Sequence, residues 1–327
     1  MVKVHCLISC FCEVIKRYTH VDYRPYYFGV WDADFVKKED GVLTYYTDNH
    51  EPIINGFEHL FRANVQEWYD SDKDKESNLQ TFLELLDSRN EHQFVLVQID
   101  MSLIPERDNK FALKPFPHFL MIAKTEKEDE WFMFDPDFRW EGNVKKATVI
   151  EAFLQNPFGG GYLFDARDIV APSYEKTEQY FHATFQRNHN EFTSSLKELV
   201  TDMAEERNGY TLDMLLPAVK QVKVIAIRKY SYEYAFMFFK DYLQYSRDEF
   251  LRLAYQIEDV VQAFTTAQYL AVKMSMTKNL ALLPPIIEAL EEADAIELQI
   301  KEELERQFVQ WTLMDRAAVT LNEEEWR

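Results

Sequence analysis

Between residues 77 and 88 the apolar side chains Leu79, Phe82, Leu83 and Leu86 recur at i, i+3, i+4 and i+7, the spacing that gathers them on one face of a helix. Ser77 followed three residues later by Gln80 reads as a capping box, so the helix is predicted to start there. Residues 7–17 are predicted as another helix, entered directly after Cys6. Residues 94–99, 118–123 and 131–135 follow a different pattern. They are short, bounded runs, apolar on both faces as central strands are. The charged stretch 124–130 (KTEKEDE) between the last two suits the loop of an antiparallel hairpin.

From residue 175 onward, long helical periodicity takes over. Helices are predicted at 176–207, 212–219, 232–245, 248–273 and 286–313, with breaks at Asn208-Gly209 and Pro284-Pro285. Val170-Ala171-Pro172-Ser173 is the expected seam, which gives a mixed domain over 1–171 and a helical one over 172–327. No repeat at a period of about 20 to 50 residues and no low-complexity tract interrupts this plan. The expected fold class is α+β, an antiparallel sheet with helices followed by an all-helical domain.

Hydrophobic residues make up 47% of the 327 and aromatic ones 15%, enough for two cores. Lys and Arg number 36 against 56 Asp and Glu, a net charge of -20, which argues against a nucleic-acid partner because phosphates demand a basic footprint. A cationic partner is favoured instead. The plainer alternative is an acidic surface that only keeps the chain soluble. No apolar run approaches the roughly 20 residues that span a bilayer, and the start MVKVHCLISCFCEV has no basic region ahead of a cleavage site, so no membrane association is expected. Cys6, Cys10 and Cys12 lie too close together to staple distant segments, and a reducing cytoplasm is the expected location.

Those cysteines also carry candidate chemistry. If strands 118–123 and 131–135 form a hairpin centred between Glu126 and Lys127, residues whose numbers add to 253 face each other, which sets His118 opposite Asp135. A carboxylate that holds an imidazole fixes its tautomer and stabilises the imidazolium, the requirement for a general base. Cys6, at the start of a helix, meets unpaired N–H groups and a dipole that favour thiolate and can hold an oxyanion. Cys10 and Cys12 read as core packing. The aromatic run over 230–245, which includes Tyr232, suits stacking on an aryl group or an ammonium, with core packing as the alternative. His182 and His189 lack a third ligand at a recognisable spacing, so no metal is expected. Gly159-Gly160-Gly161 is not followed by Lys-Ser/Thr and reads as a turn.

The ordered motifs His5-Cys6 before a helix, VQIDMSLIP (97–105), HFLMIAK (118–124) and FMFDP (132–136) resemble the N-terminal domain of the butirosin-biosynthesis acyltransferase family, the BtrH type. The resemblance spans most of residues 1–140. It implies a papain-like fold and a triad of Cys6 as nucleophile, His118 as base and Asp135 as orienter. The implied reaction moves an acyl group from a carrier-protein phosphopantetheine thioester to an amine, with no cofactor of the enzyme's own. Asp100 and Pro105 match the family's Asp-to-Pro motif beside the site. YYFGVWDADF (26–35) stands where such chains often carry a glycine-rich stretch, so a different acceptor pocket is expected.

Within that group, the HCLISCFCE start, the length and the helical second half are similar to the petrobactin-siderophore branch. That similarity implies transfer of a 3,4-dihydroxybenzoyl group from an aryl carrier protein to spermidine or a spermidinyl-citrate intermediate. Asp32, Asp34, Asp100 and Asp137, with Trp31 and Tyr232, are the candidates to hold the polycation; for each acid a solvated surface carboxylate is the alternative. An acidic carrier needs a local basic patch, for which Lys220, Lys223, Arg228 and Lys229, or Lys145 and Lys146, are candidates. The expected course is ping-pong transfer with the helical domain as lid. A cysteine hydrolase with the same triad, and a scaffold that binds carrier or polyamine without chemistry, stand as alternatives.

Overall fold

The structure, a computed structural model, describes residues 4–47, 49–107 and 111–325, with side chains described up to residue 314. These residues form two compact units. One comprises residues 4–26 and 49–177, the other Tyr27–Thr47 and the residues from Glu178 onward.

Numbered along the chain, β1 (Val36–Lys37) and β2 (Leu43–Thr44) pair as a short antiparallel hairpin in the second unit. The other six strands build the sheet of the first unit: β3 (Gln66–Glu67), β4 (Gln93–Asp100), β5 (Pro117–Lys124), β6 (Glu130–Asp135), β7 (Trp140–Lys145) and β8 (Gly161–Asp165). Their order is β3-β8-β4-β5-β6-β7, with every neighbouring pair antiparallel. The residues read as apolar on both faces become β4, β5 and β6, and β4 and β5 occupy the middle of the sheet. Helices α1 (Cys6–Tyr18), α2 (Glu51–Phe61), α3 (Lys75–Ser88) and α4 (Lys146–Gln155) supply the layers that bury it. Phe11 of α1 and Phe57 of α2 meet Phe164 of β8 at 4.9 and 5.5 Å between ring centroids. Trp68, Phe82 and Phe153 form a second aromatic stack, and Phe82 also meets Trp131.

Three local expectations are corrected. Helix α3 begins before Ser77: Asp74 is its N-cap, and its Oδ1 accepts the Ser77 N–H at 2.7 Å. Asp74 suits the position as well as serine does and adds a negative charge at the positive end of the helix. Gln80 donates to Glu84 rather than closing a capping box. The β5–β6 hairpin pairs Met121 with Phe134 and Lys124 with Trp131, so facing residues add to 255 and not 253. The loop causes this shift: the Thr125 hydroxyl donates to Glu130 O at 2.8 Å and accepts the Lys127 N–H, which moves the loop centre to between Lys127 and Glu128.

From α5 (Tyr174–Thr184) the chain is helical, continuing through α6 (Glu191–Ala204), α7 (Leu215–Val219), α8 (Val222–Ala226), α9 (Ser231–Leu243), α10 (Arg247–Thr277) and α11 (Leu283–Glu325). The third correction falls here, because the helix expected at 176–207 is two helices. Lys301 of α11 donates to the carbonyls of Gln186 and His189 at 3.1 and 2.7 Å, taking acceptors that an uninterrupted helix would have used. Pro284 and Pro285 fall in the first turn of α11, where their missing N–H groups cost nothing. In this unit's core Phe181 stacks on Phe308 at 3.9 Å, beside Phe239 and Trp311. Among the described residues no helix is long and apolar enough to cross a membrane.

Candidate active site

Cys6 is the first residue of α1, and His5 precedes it in extended conformation with no side-chain cap. The first helical bond runs from Ser9 N to His5 O at 2.8 Å, so the N–H groups of Cys6, Leu7 and Ile8 have no acceptor within the helix. The helix is anchored because every residue from Leu7 to Ile15 is buried, while Cys6 at its tip is half-exposed. Cys10 and Cys12 are fully buried, and Cys10 Sγ lies 3.8 Å from Phe119 O.

His118 is the second residue of β5, where it faces Ile99 of β4, and Asp135 ends β6, where it faces Trp140 of β7. The two are therefore not partners across the β5–β6 ladder. The shift is two residues, an even number, so both keep to the same side of the hairpin. His118 Nε2 lies 3.0 Å from Asp135 Oδ1. With Nε2 engaged, Nδ1 is the nitrogen that remains for the Cys6 sulfur, which is close enough to raise the proton affinity of the imidazole. The rings of Phe116 and Phe138 stand 5.6 and 5.3 Å from the imidazole and keep it dry.

Asp135 is fully buried and held on both oxygens. Oδ1 also accepts the Phe138 N–H at 3.3 Å, and Oδ2 takes Arg107 Nη2 at 3.2 Å. Burial alone would push His118 towards the neutral form, but the Asp135 carboxylate and the Cys6 sulfur outweigh it and hold the imidazole well above the usual 6.5. Burial likewise opposes the charge on Asp135, yet His118 and Arg107 keep its carboxyl below the usual 3.8. The arrangement is an imidazole of raised proton affinity between a half-exposed cysteine and a buried carboxylate. Arg107 was missed in the sequence, since a single arginine in the loop between β4 and β5 belongs to no periodicity or motif.

The other candidate residues are placed differently. Asp100 is buried, and its Oδ1 accepts the N–H groups of Ser102 and Phe116, each at 2.9 Å, so it shapes the chain that leads into His118. Asp137 accepts from Ser9 Oγ at 2.8 Å and ties the β6–β7 turn to α1. Trp31, Asp32 and Tyr232 belong to the second unit and come together there, Trp31 and Tyr232 buried and Asp32 half-buried, with the Asp32 carboxylate engaged by Lys229 and Lys301. Two members of the first basic patch are interior. Arg228 donates to the carbonyls of Ala33, Asp34 and Tyr45, while Lys229 is ion-paired, which leaves Lys220 and Lys223 exposed. Of the second patch Lys145 is exposed and Lys146 half-buried, its Nζ 5.6 Å from the Trp131 ring. His182 lies in α5 and His189 in the break after it, and no group of three or more metal-ligating side chains occurs among the described residues.

Two family models together account for nearly all of the chain: the DUF6005 N-terminal domain matches residues 1–169 and the DUF6005 C-terminal domain residues 175–325. Over 315 residues the chain is 54% identical to petrobactin synthase of Bacillus anthracis, across 96% of either chain.

Proposed function

The chain belongs to the DUF6005 family, and from that premise we propose that it is an acyltransferase of petrobactin-type siderophore assembly. In this reading it moves a 3,4-dihydroxybenzoyl group from the phosphopantetheine thioester of an aryl carrier protein to an amine of spermidine or of a spermidinyl-citrate intermediate. The observation that carries the reading is the His118 imidazole held 3.0 Å from Asp135 with Cys6 beside it, in a chain 54% identical to a petrobactin synthase along almost its whole length. A half-exposed cysteine heading a buried helix beside an antiparallel sheet also fits the papain-like arrangement expected from the motifs.

The proposed steps follow from the geometry. The Cys6 thiolate adds to the thioester carbonyl, and the oxyanion that forms is met by the unpaired N–H groups at the start of α1. The carbon–sulfur bond to pantetheine breaks, and His118 gives its proton to the departing thiol. An amine nitrogen then attacks the Cys6 thioester while neutral His118 accepts its proton. The amide leaves, and the imidazolium–thiolate pair is restored. Asp135 holds one tautomer throughout, with Nε2–H directed at its carboxylate and Nδ1 at the reacting atoms.

Intact-protein mass spectrometry tests this with dihydroxybenzoyl-loaded carrier protein, followed by spermidine, on wild type, Cys6→Ala and Cys10→Ala. The expected result is a dihydroxybenzoyl adduct in wild type and Cys10→Ala, absent from Cys6→Ala, that disappears as acyl-spermidine forms. An adduct cleared equally fast by water alone indicates a hydrolase. Product formed by Cys6→Ala at the wild-type rate would overturn the covalent mechanism.

A further inference from the structure

Asp135 serves two cations. Oδ1 faces His118 Nε2 at 3.0 Å and Oδ2 faces Arg107 Nη2 at 3.2 Å, with the arginine side chain 9% exposed and the aspartate 0%. The guanidinium is itself fixed, its centre 5.5 Å from the Phe138 ring and 5.0 Å from the Trp140 ring. It sets a positive charge against the second oxygen of Asp135. We infer that Arg107 is a positioning residue of the triad, one that divides the Asp135 carboxylate between two cations and thereby decides how readily His118 releases its proton.

This inference rests on the acyl-transfer reading above, and the chemistry says where the effect is felt. Among the described residues, the ionisable groups that face His118 are Cys6 from α1, Asp135 from β6 and, across that carboxylate, Arg107 from the β4–β5 loop; Phe116 and Phe138 supply apolar walls. During attack on the carrier thioester the Cys6 sulfur is anionic and helps to keep the imidazole protonated. Once acylated, that sulfur is neutral. His118, having given its proton to the departing thiol, exchanges protons with water in the acyl-enzyme, and Asp135 and Arg107 set how much of it stays neutral and able to accept one from the incoming amine. A carboxylate committed wholly to His118 would hold the imidazolium too firmly for this second half-reaction. Arg107 weakens that hold by drawing on the other oxygen and by setting a positive charge nearby.

The test isolates the acyl-enzyme of wild type, Arg107→Gln, Arg107→Lys and Asp135→Asn. It follows the loss of the acyl group to methoxyamine, an amine that stays uncharged across neutral pH, as a function of pH. In Arg107→Gln the acid limb is expected to move up by about one pH unit, leaving deacylation about tenfold slower on that limb, while Arg107→Lys keeps the wild-type limb. Asp135→Asn is expected to move it down. A purely structural arginine would lower both half-reactions together and leave the limb in place, and that outcome overturns the inference. If Asp135→Asn leaves the limb unmoved, the triad reading itself fails. If it moves down while Arg107→Gln does not move, only the role of Arg107 falls. Should Arg107→Gln not fold, Arg107→Met, which also removes the charge, carries the test: a raised limb supports the charge effect and an unmoved one overturns it.

Discussion

The indole of Trp31 lies flat on the phenol ring of Tyr232, with centroids 4.3 Å apart and planes 9° from parallel, and the same phenol donates to Glu297 Oε1 at 2.9 Å. The stack walls off a buried ionic network. Lys229 Nζ is 3.3 Å from Asp32 Oδ1 and 2.6 Å from Glu297 Oε1, and Lys301 Nζ is 2.6 Å from Asp32 Oδ2. Two carboxylates balance two ammoniums, and together they bind Tyr27–Thr47 to α11 and to the turn before α9. Burial would strip the proton from Lys229, but Glu297 and Asp32 raise its affinity for it, so the charge persists.

Asp32 is therefore expected to matter for stability. Asp32→Asn leaves Lys229 and Lys301 short of a counter-charge in a dry interior and is expected to cost about 3–5 kcal/mol of unfolding free energy, measured by urea titration. If Asp32 instead holds a polyamine, the same variant will keep its stability and raise the KM for spermidine.

Under the proposed mechanism the His118–Asp135 pair is expected to set the pH response of acylation. With the imidazole held well above 6.5, the rate of adduct formation is expected to be level through neutral pH and to fall only on an alkaline limb above that value. Asp135→Asn is expected to bring the limb down and to slow acylation by about 10²–10⁴-fold. The same shifts govern stability. The raised His118 contributes fully below 6.5 and loses its contribution as pH rises through its folded value. The lowered Asp135 contributes fully above 3.8 and loses its contribution as pH falls through its folded value. The stability difference between wild type and a His118→Gln, Asp135→Asn double variant is thus expected to be largest between 3.8 and 6.5.

Helix α3 offers a comparison of caps. Asp74→Ala removes the acceptor of the Ser77 N–H and is expected to lower the melting temperature by a few degrees, whereas Ser77→Ala, one turn inside the helix start, is expected to leave it unchanged. The reverse order would restore Ser77 as the cap.

These residues also show what the sequence made legible. Periodicity is a local property, so the existence of α3, β4, β5 and β6, and the parity that keeps His118 and Asp135 on one side, could be read directly. Where an element starts depends on competition between neighbouring caps, and Asp74 won over Ser77. Register depends on loop hydrogen bonds that no alternation encodes, so the Thr125 hydroxyl moved the pairing by two. The break between α5 and α6 depends on Lys301, more than a hundred residues away, and had no local signal. Cys6, His118 and Asp135 surfaced because each sits in a motif; Arg107, ion-paired to Asp135, sits in none.

Gly159-Gly160-Gly161 allows the last prediction. A Cβ at Gly161 would stand 2.1 Å from Trp68 Cε2 and Cζ2, and one at Gly159 would stand 2.1 Å from Tyr69 Cζ. The two neighbours differ in freedom. Trp68 is buried, donates Nε1–H to Leu96 O at 3.1 Å, stacks on Phe82 and gives its own N–H to Gly161 O, so its ring has nowhere to go. Tyr69 is half-exposed and can swing aside. Gly161→Ala is therefore expected to cost about 1–3 kcal/mol and Gly159→Ala clearly less, both measured by denaturant unfolding. If the run instead cradled the phosphate of a carrier arm, both variants would keep wild-type stability and lose affinity for loaded carrier. The glycines are required because aromatic side chains approach the backbone closely at this corner of the sheet, a packing reason rather than a phosphate-binding one.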